Sequence, residues 1–138
     1  YYTRRPELTP GMAEDPSQRV EYPYMEIVEL ECELGDSLSD ESAIESFVDL
    51  IAERFNLQLF ETATYKFDPQ GITSVGIIGE SHISIHTWPE LNFCHVEIFS
   101  CRKLPPLETI SAELEGSVET VLNVRKRSRQ PSTEQSFD

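Results

Sequence analysis

The side chains of this chain best able to do chemistry are crowded into one stretch. All three histidines (His82, His86, His95), the single tryptophan Trp88 and two of the three cysteines, Cys94 and Cys101, lie between His82 and Cys101. The stretch opens Glu80-Ser81-His82-Ile83-Ser84-Ile85-His86-Thr87-Trp88-Pro89-Glu90. Three readings are open to it. Imidazoles on the wet face of a strand need no function at all. A metal centre is the second. His82 and His86 share a face of a strand but stand ~13 Å apart on it, too far for one Zn²⁺ with ligand bonds of ~2.0–2.1 Å. With no Cys-x-x-Cys in the chain, no metal is expected. The third is nucleophilic chemistry, in which Ser81, Cys101 and His86 offer a nucleophile, an acid and a base. No Gly-x-Ser-x-Gly elbow accompanies them, so a hydrolase is not supported.

These groups need elements to hold them. Residues 22–32 alternate Met25, Ile27 and Leu30 with Glu26, Glu29 and Glu31, a strand with one wet face. Asp40 and Glu41 suit a helix start, and Ile44, Phe47, Val48, Ile51 and Phe55 follow at helical spacing. Residues 57–66 read as a second strand, and Asp68-Pro69-Gln70-Gly71 as a turn. Three β-rich runs follow at 72–79, 81–88 and 93–101, the last two joined through Pro89–Asn92. Pro105-Pro106 opens a second helix with Leu107, Ile110, Leu114, Val118 and Val121 on one face. Residues 122–127 are a last strand. The order β-α-β-β-β-β-α-β predicts an α+β two-layer sandwich, an antiparallel sheet with two helices on one face. Ile83, Ile85, Val96 and Ile98 are then too many apolar residues for a wet second face, which predicts a homodimer with its sheets packed together. Ser81 and His86 differ in strand parity, so bringing them together calls for a bulge or a bend.

Composition narrows the classes. The 138 residues suit one domain. Residues 1–21 and 128–138 lack apolar periodicity and are expected as a flexible arm and a tail around a domain at 22–127. The net charge of −14, from 25 acidic against 11 basic residues, repels phosphate backbones and anionic lipid, so neither nucleic acid nor membrane is an expected partner. No apolar run approaches the ~20 residues of a membrane span. An odd cysteine count and no signal-peptide pattern predict a reduced, cytoplasmic protein.

The run Glu80-Ser-His-Ile-Ser-Ile-His-Thr-Trp-Pro-Glu90, with a following strand that ends Phe99-Ser100-Cys101, resembles the prokaryotic-type S-adenosylmethionine decarboxylases, and Phe67-x-Pro69-x-Gly71 upstream also fits. The likeness is strong over 67–101 and extends in layout over roughly 24–125. It implies a pyruvoyl-dependent carboxy-lyase made as a proenzyme, supplying the aminopropyl donor for spermidine. Ser81 matches the serine that becomes the pyruvoyl group, with self-cleavage at Glu80–Ser81. In that scheme the Ser81 hydroxyl attacks the Glu80 carbonyl, the amide becomes an ester, loss of the Ser81 α-proton expels the Glu80 carboxylate, and hydrolysis, which releases the Ser81 nitrogen as ammonia, leaves a ketone at the new chain start. The new terminal carbonyl forms a Schiff base with the substrate amine. His86 matches the processing base, and Thr73 stands where a processing serine is usual. Cys101 matches the thiol that returns a proton to the substrate α-carbon. Glu90 matches the carboxylate that binds the ribose hydroxyls, and Phe67 the aromatic that stacks on adenine. The only cofactor implied is the pyruvoyl group from Ser81, with no metal and no pyridoxal phosphate. The partners implied are S-adenosylmethionine and a second protomer.

The sequence also departs from the family pattern. A Gly-x-His is usual where this chain has Glu21-Tyr22-Pro23-Tyr24, a glycine where it has Arg102, and an aromatic-and-alanine run where it has Asn92-Phe93-Cys94-His95. Arg102, beside the thiol, is placed to hold a carboxylate. Two alternatives therefore stand: a pyruvoyl-dependent arginine or ornithine decarboxylase on the same scaffold, or a non-catalytic regulatory paralogue.

Overall fold

Alternating burial organises the sheet. In β1 (Met25–Glu33) each second residue is buried, from Glu26 through Val28 and Leu30 to Cys32. The same period runs through β3 (Ile72–Ile78), β4 (Ser81–Trp88) and β5 (Phe93–Ser100). With β2 (Leu59–Lys66) and β6 (Thr120–Arg129) they form one six-stranded sheet in the order β2-β3-β4-β5-β1-β6. Every neighbouring pair is antiparallel. The structure, a computed structural model, describes residues 23–129. The expected arm at 1–21 lies outside these, as does 130–138 of the expected tail. Ser128 and Arg129 belong to β6 rather than to a tail, because they pair with Glu26 and Met25 of β1.

Two helices cover one face. Helix α1 (Glu41–Arg54) starts where Asp40 accepts hydrogen bonds from the Ser42 and Ala43 amides at 2.9 and 3.3 Å, satisfying free donors of the first turn. It buries Ile44, Phe47, Val48, Ile51 and Ala52 and lies over β2, β3 and β4. Helix α2 (Leu107–Leu114) buries Ile110 and Leu114 and lies over β6. It stops short of the sequence expectation: Gly116 takes φ +85°, and Val118 and Val121 leave the helical path for the turn before β6 and for β6 itself.

A second correction concerns the sheet's faces. Ile83, Ile85, Val96 and Ile98 are fully buried beneath the helices, so they do not form an apolar face for a second copy. The face without helices carries His82, Ser84, His86 and Trp88 from β4, with His95, Glu97 and Phe99 opposite them on β5. It is laced with polar contacts. His82 lies 3.4 Å from Glu97 and stacks on Phe99 at 5.7 Å between ring centres. His95 lies 3.4 Å from Glu31 and 3.6 Å from Glu29, which Arg125 also meets at 3.0 Å. The buried face fixes the register that positions the site. A one-residue slip of β4 turns Ile83 and Ile85 to water, at ~1.5–3 kcal/mol each.

Candidate active site

The β3–β4 hairpin places Ser81 at a sharp corner. Ile78 pairs with Ser81, leaving Gly79 and Glu80 as the loop. Glu80, not the glycine, takes φ +70°. That conformation is normally left to Gly or Asn and costs an ordinary residue ~1–2 kcal/mol. At this corner the Ser81 hydroxyl donates to the carbonyl of Glu80 itself. Cys101, at the exit of β5, completes the cluster. Its Sγ lies 3.8 Å from Ser81 Oγ and 3.4 Å from the Glu80 carbonyl oxygen. A serine hydroxyl, a thiol and a carbonyl in a strained turn thus converge on one peptide bond. Cys101 is partly exposed, whereas Cys32 and Cys94 are buried and face each other across β1 and β5. The hydrogen bond shared with Cys32, and then burial, push the Cys94 thiol up, so it stays a neutral thiol in the core.

Thr73 and His86 form a second cluster. They pair directly across β3 and β4, with Thr73 Oγ1 3.0 Å from His86 Nδ1. A cleft of about 310 Å³ opens beside them, with Phe67 and Trp88 as its aromatic walls and Glu90 at its rim. Phe67 is 47% exposed and rests against Tyr65 at 4.8 Å between ring centres, so it is free to stack on a ligand rather than committed to the core. The buried Thr87 hydroxyl accepts from the Ile72 amide at 2.9 Å and donates to the Leu38 carbonyl at 3.0 Å, which steadies the cleft floor. Asn92, at φ +48°, ends the turn that carries Glu90. Its side chain accepts from the Gly35 amide at 2.9 Å and donates to Glu119 at 3.2 Å. Sequence reasoning counted Trp88 among the crowded side chains but gave it no role, and passed over Thr87 in the cleft and Asn92 beside it, although Asn92 is a residue suited to a left-handed turn.

One protomer does not join the two clusters. Ser81 and His86 are separated by five steps along β4, ~16 Å. His86 lies on the open face, while Ile83, Ile85 and Thr87, of the parity of Ser81, are buried beneath the helices. The bulge that would reconcile them is absent: β4 keeps unbroken register against both β3 and β5. Only the turn at Glu80 bends the chain there. The site residues therefore fall into Glu80–Ser81–Cys101 and Phe67–Thr73–His86–Glu90. Among the described residues, no group of His, Cys, Asp or Glu is arranged to hold a metal ion, and no helix is long and apolar enough to cross a membrane.

Comparison with known proteins places the chain in a family. Residues 26–127 match the family model described as S-adenosylmethionine decarboxylase. A relative from Prochlorococcus marinus (strain MIT 9211), named S-adenosylmethionine decarboxylase proenzyme, is 42% identical over 76 residues, 54% of this chain and 62% of its own length. One of the same name from Methanococcus maripaludis (strain S2) is 40% identical over 80 residues, 57% of this chain and 65% of its own. The chain thus spans less than two thirds of these relatives. The crystal structure of the adenosylmethionine decarboxylase from Aquifex aeolicus VF5 superposes with a TM-score of 0.58 at 22% identity, over 82% of this chain and 93% of that one, and shares its fold. With a family model matching from β1 to β6, this chain belongs to the S-adenosylmethionine decarboxylase family.

Proposed function

We propose that this chain is a self-processing, pyruvoyl-dependent decarboxylase of S-adenosylmethionine, cut between Glu80 and Ser81. The observation that carries the reading is the convergence of Ser81 Oγ and Cys101 Sγ on the Glu80 carbonyl at a turn with φ +70°. Ser81 Oγ is the nucleophile for that carbonyl. The Cys101 thiol, a weak donor, meets its oxygen, where negative charge collects during attack. Strain at Glu80 raises the energy of the uncut chain and is released on cleavage. That two relatives are named proenzymes fits a chain that must be cut.

A pyruvoyl group formed from Ser81 supplies a carbonyl that takes the substrate amine and receives the electrons left behind by carbon dioxide. The chain's own residues do the rest. Cys101, 3.8 Å from Ser81 Oγ, is within reach to protonate the carbon that lost carbon dioxide. The Phe67–Trp88 cleft offers π faces to an adenine ring and to a sulfonium, and Glu90 offers a carboxylate to ribose hydroxyls. An arginine or ornithine side chain has no base to stack, so the aromatic walls favour S-adenosylmethionine. The two clusters are united by a homodimer, in which the Thr73–His86 cleft of a second copy faces the Ser81 corner. The His86 ring then serves as the base that removes the Ser81 α-proton.

The test is the intact mass of purified protein. Wild type should give two pieces, one ending at Glu80 and one beginning with a pyruvoyl group, and Ser81→Ala should stay whole. Cutting at this bond in Ser81→Ala would refute the scheme.

A further inference from the structure

The segment that carries Cys101 out of β5 is held by a charge pair between buried Glu26 and half-buried Lys126 that the proposed reaction does not use. Between Ser100 and Leu107 the chain has no regular secondary structure, yet it must hold a thiol in place. Ser100 begins the job locally: its hydroxyl accepts from the Arg102 amide and donates to the Arg102 carbonyl, both at 2.9 Å. The rest comes from β1 and β6. Glu26 is 2% exposed and sits on the core side of β1 in line with Val28, Leu30 and Cys32. Its Oε1 accepts from the Leu104 amide at 2.8 Å and meets Lys126 Nζ at 3.2 Å, and its Oε2 takes the Tyr24 hydroxyl. Lys126 Nζ also donates to the carbonyls of Leu104 and Pro105, at 3.3 and 3.2 Å. Tyr24, Glu26, Lys126 and Cys101 all line one cleft of about 540 Å³.

Burying a carboxylate in an ion pair is a poor way to gain stability, since its desolvation offsets the attraction and apolar residues of similar size often do better. What it gives is direction. Its bonds onto the segment all land on the backbone of Leu104 and Pro105, a few residues beyond the thiol. Direction is what the thiol requires. Its proton has two carbons to choose between, one on each side of the Schiff-base nitrogen: the substrate carbon that lost carbon dioxide and the carbon contributed by Ser81. Delivery to the second leaves the substrate's amine on the chain as an alanine terminus, and water releases the remainder of the substrate as an aldehyde. A misplacement of about 1 Å can cost on the order of 10²-fold in rate, so the choice depends on where the segment holds Sγ.

We propose that Tyr24, Glu26 and Lys126 are positioning residues for the Cys101 thiol, setting its place beside Ser81 and so the fidelity of protonation. The inference rests on the reading of Cys101 as the proton donor. The test uses Lys126→Met, which keeps the stem and removes the charge, and Glu26→Gln. Two quantities are measured. One is the number of turnovers per alanine-terminated inactivation, read by mass spectrometry of the C-terminal piece. The other is the rate at which iodoacetamide alkylates Cys101 in the uncut Ser81→Ala chain, which needs no activity. Both variants should lose turnovers per inactivation by about tenfold at near-normal KM, with faster alkylation, and Lys126→Arg should recover part of the loss. A parallel fall of kcat and thermal stability with unchanged partition and alkylation would make the network a brace only, and would overturn the proposal. Should either variant fail to fold, Tyr24→Phe, which removes one hydroxyl, is judged by the same two quantities. If wild type releases no carbon dioxide, the functional reading falls by itself, and alkylation alone decides this one.

Discussion

Cys101 meets the Glu80 carbonyl before any substrate arrives, so in the proposed scheme one thiol stands in two reactions at two times. In the same scheme His86, held by Thr73 on the open face, enters only the first. Their removal should therefore fail at different steps. His86→Ala lets the Ser81 ester form but leaves its α-proton in place. Hydroxylamine attacks esters far faster than amides and should split that chain after residue 80. Cys101→Ala should process slowly, and the enzyme it yields should gain an alanine terminus during turnover. Full activity of Cys101→Ala with an unchanged terminus would assign the proton to another group. These proposed roles were legible beforehand because residue types and spacing can be read one residue at a time. That of Glu26 was not: a glutamate in an alternating run looks wet, and only its parity with Val28 and Leu30 places it in the core.

At the scale of elements, the β3–β4 hairpin shows where local rules are broken. A glycine stands in the loop, yet the left-handed conformation falls on the glutamate after it. If that strain assists cutting, Glu80→Gly should relieve it and slow the appearance of the two pieces by roughly tenfold. A time course of processing after synthesis reads this directly, and an unchanged rate would detach the conformation from the chemistry. Element order and type were legible from the periodicity of 2 against 3.6. The end of α2 was not, because Val118 and Val121 continue the helical spacing while Gly116 breaks the backbone beneath it. Nor was the covered face of the sheet. Alternation shows that Ile83 and Ile85 share a face, but whether a helix or another copy covers it depends on how α1 docks.

For the whole molecule, the ~16 Å of strand between Ser81 and His86 is what makes the proposed chemistry call for a dimer. The stretch 80–90 looks like one site on paper, and pleating divides it between two faces. Light scattering should report a dimer, and co-expression of Ser81→Ala with His86→Ala should give the sharper result. A mixed dimer holds one corner with both Ser81 and a neighbouring His86, so the His86→Ala chain should be cut there although it stays whole alone. No cutting in the mixture would return the base to its own chain. The strand order has a last consequence. A cut before Ser81 sends β1, α1, β2 and β3 to one piece and β4, β5, α2 and β6 to the other. In the sheet, β1 lies between β5 and β6, so the products are interleaved like the fingers of two hands. Three strand-to-strand seams, β3–β4, β5–β1 and β1–β6, join them. The two pieces should travel together through every native separation and part only in denaturant. Neither half can leave without tearing open the sheet that both complete.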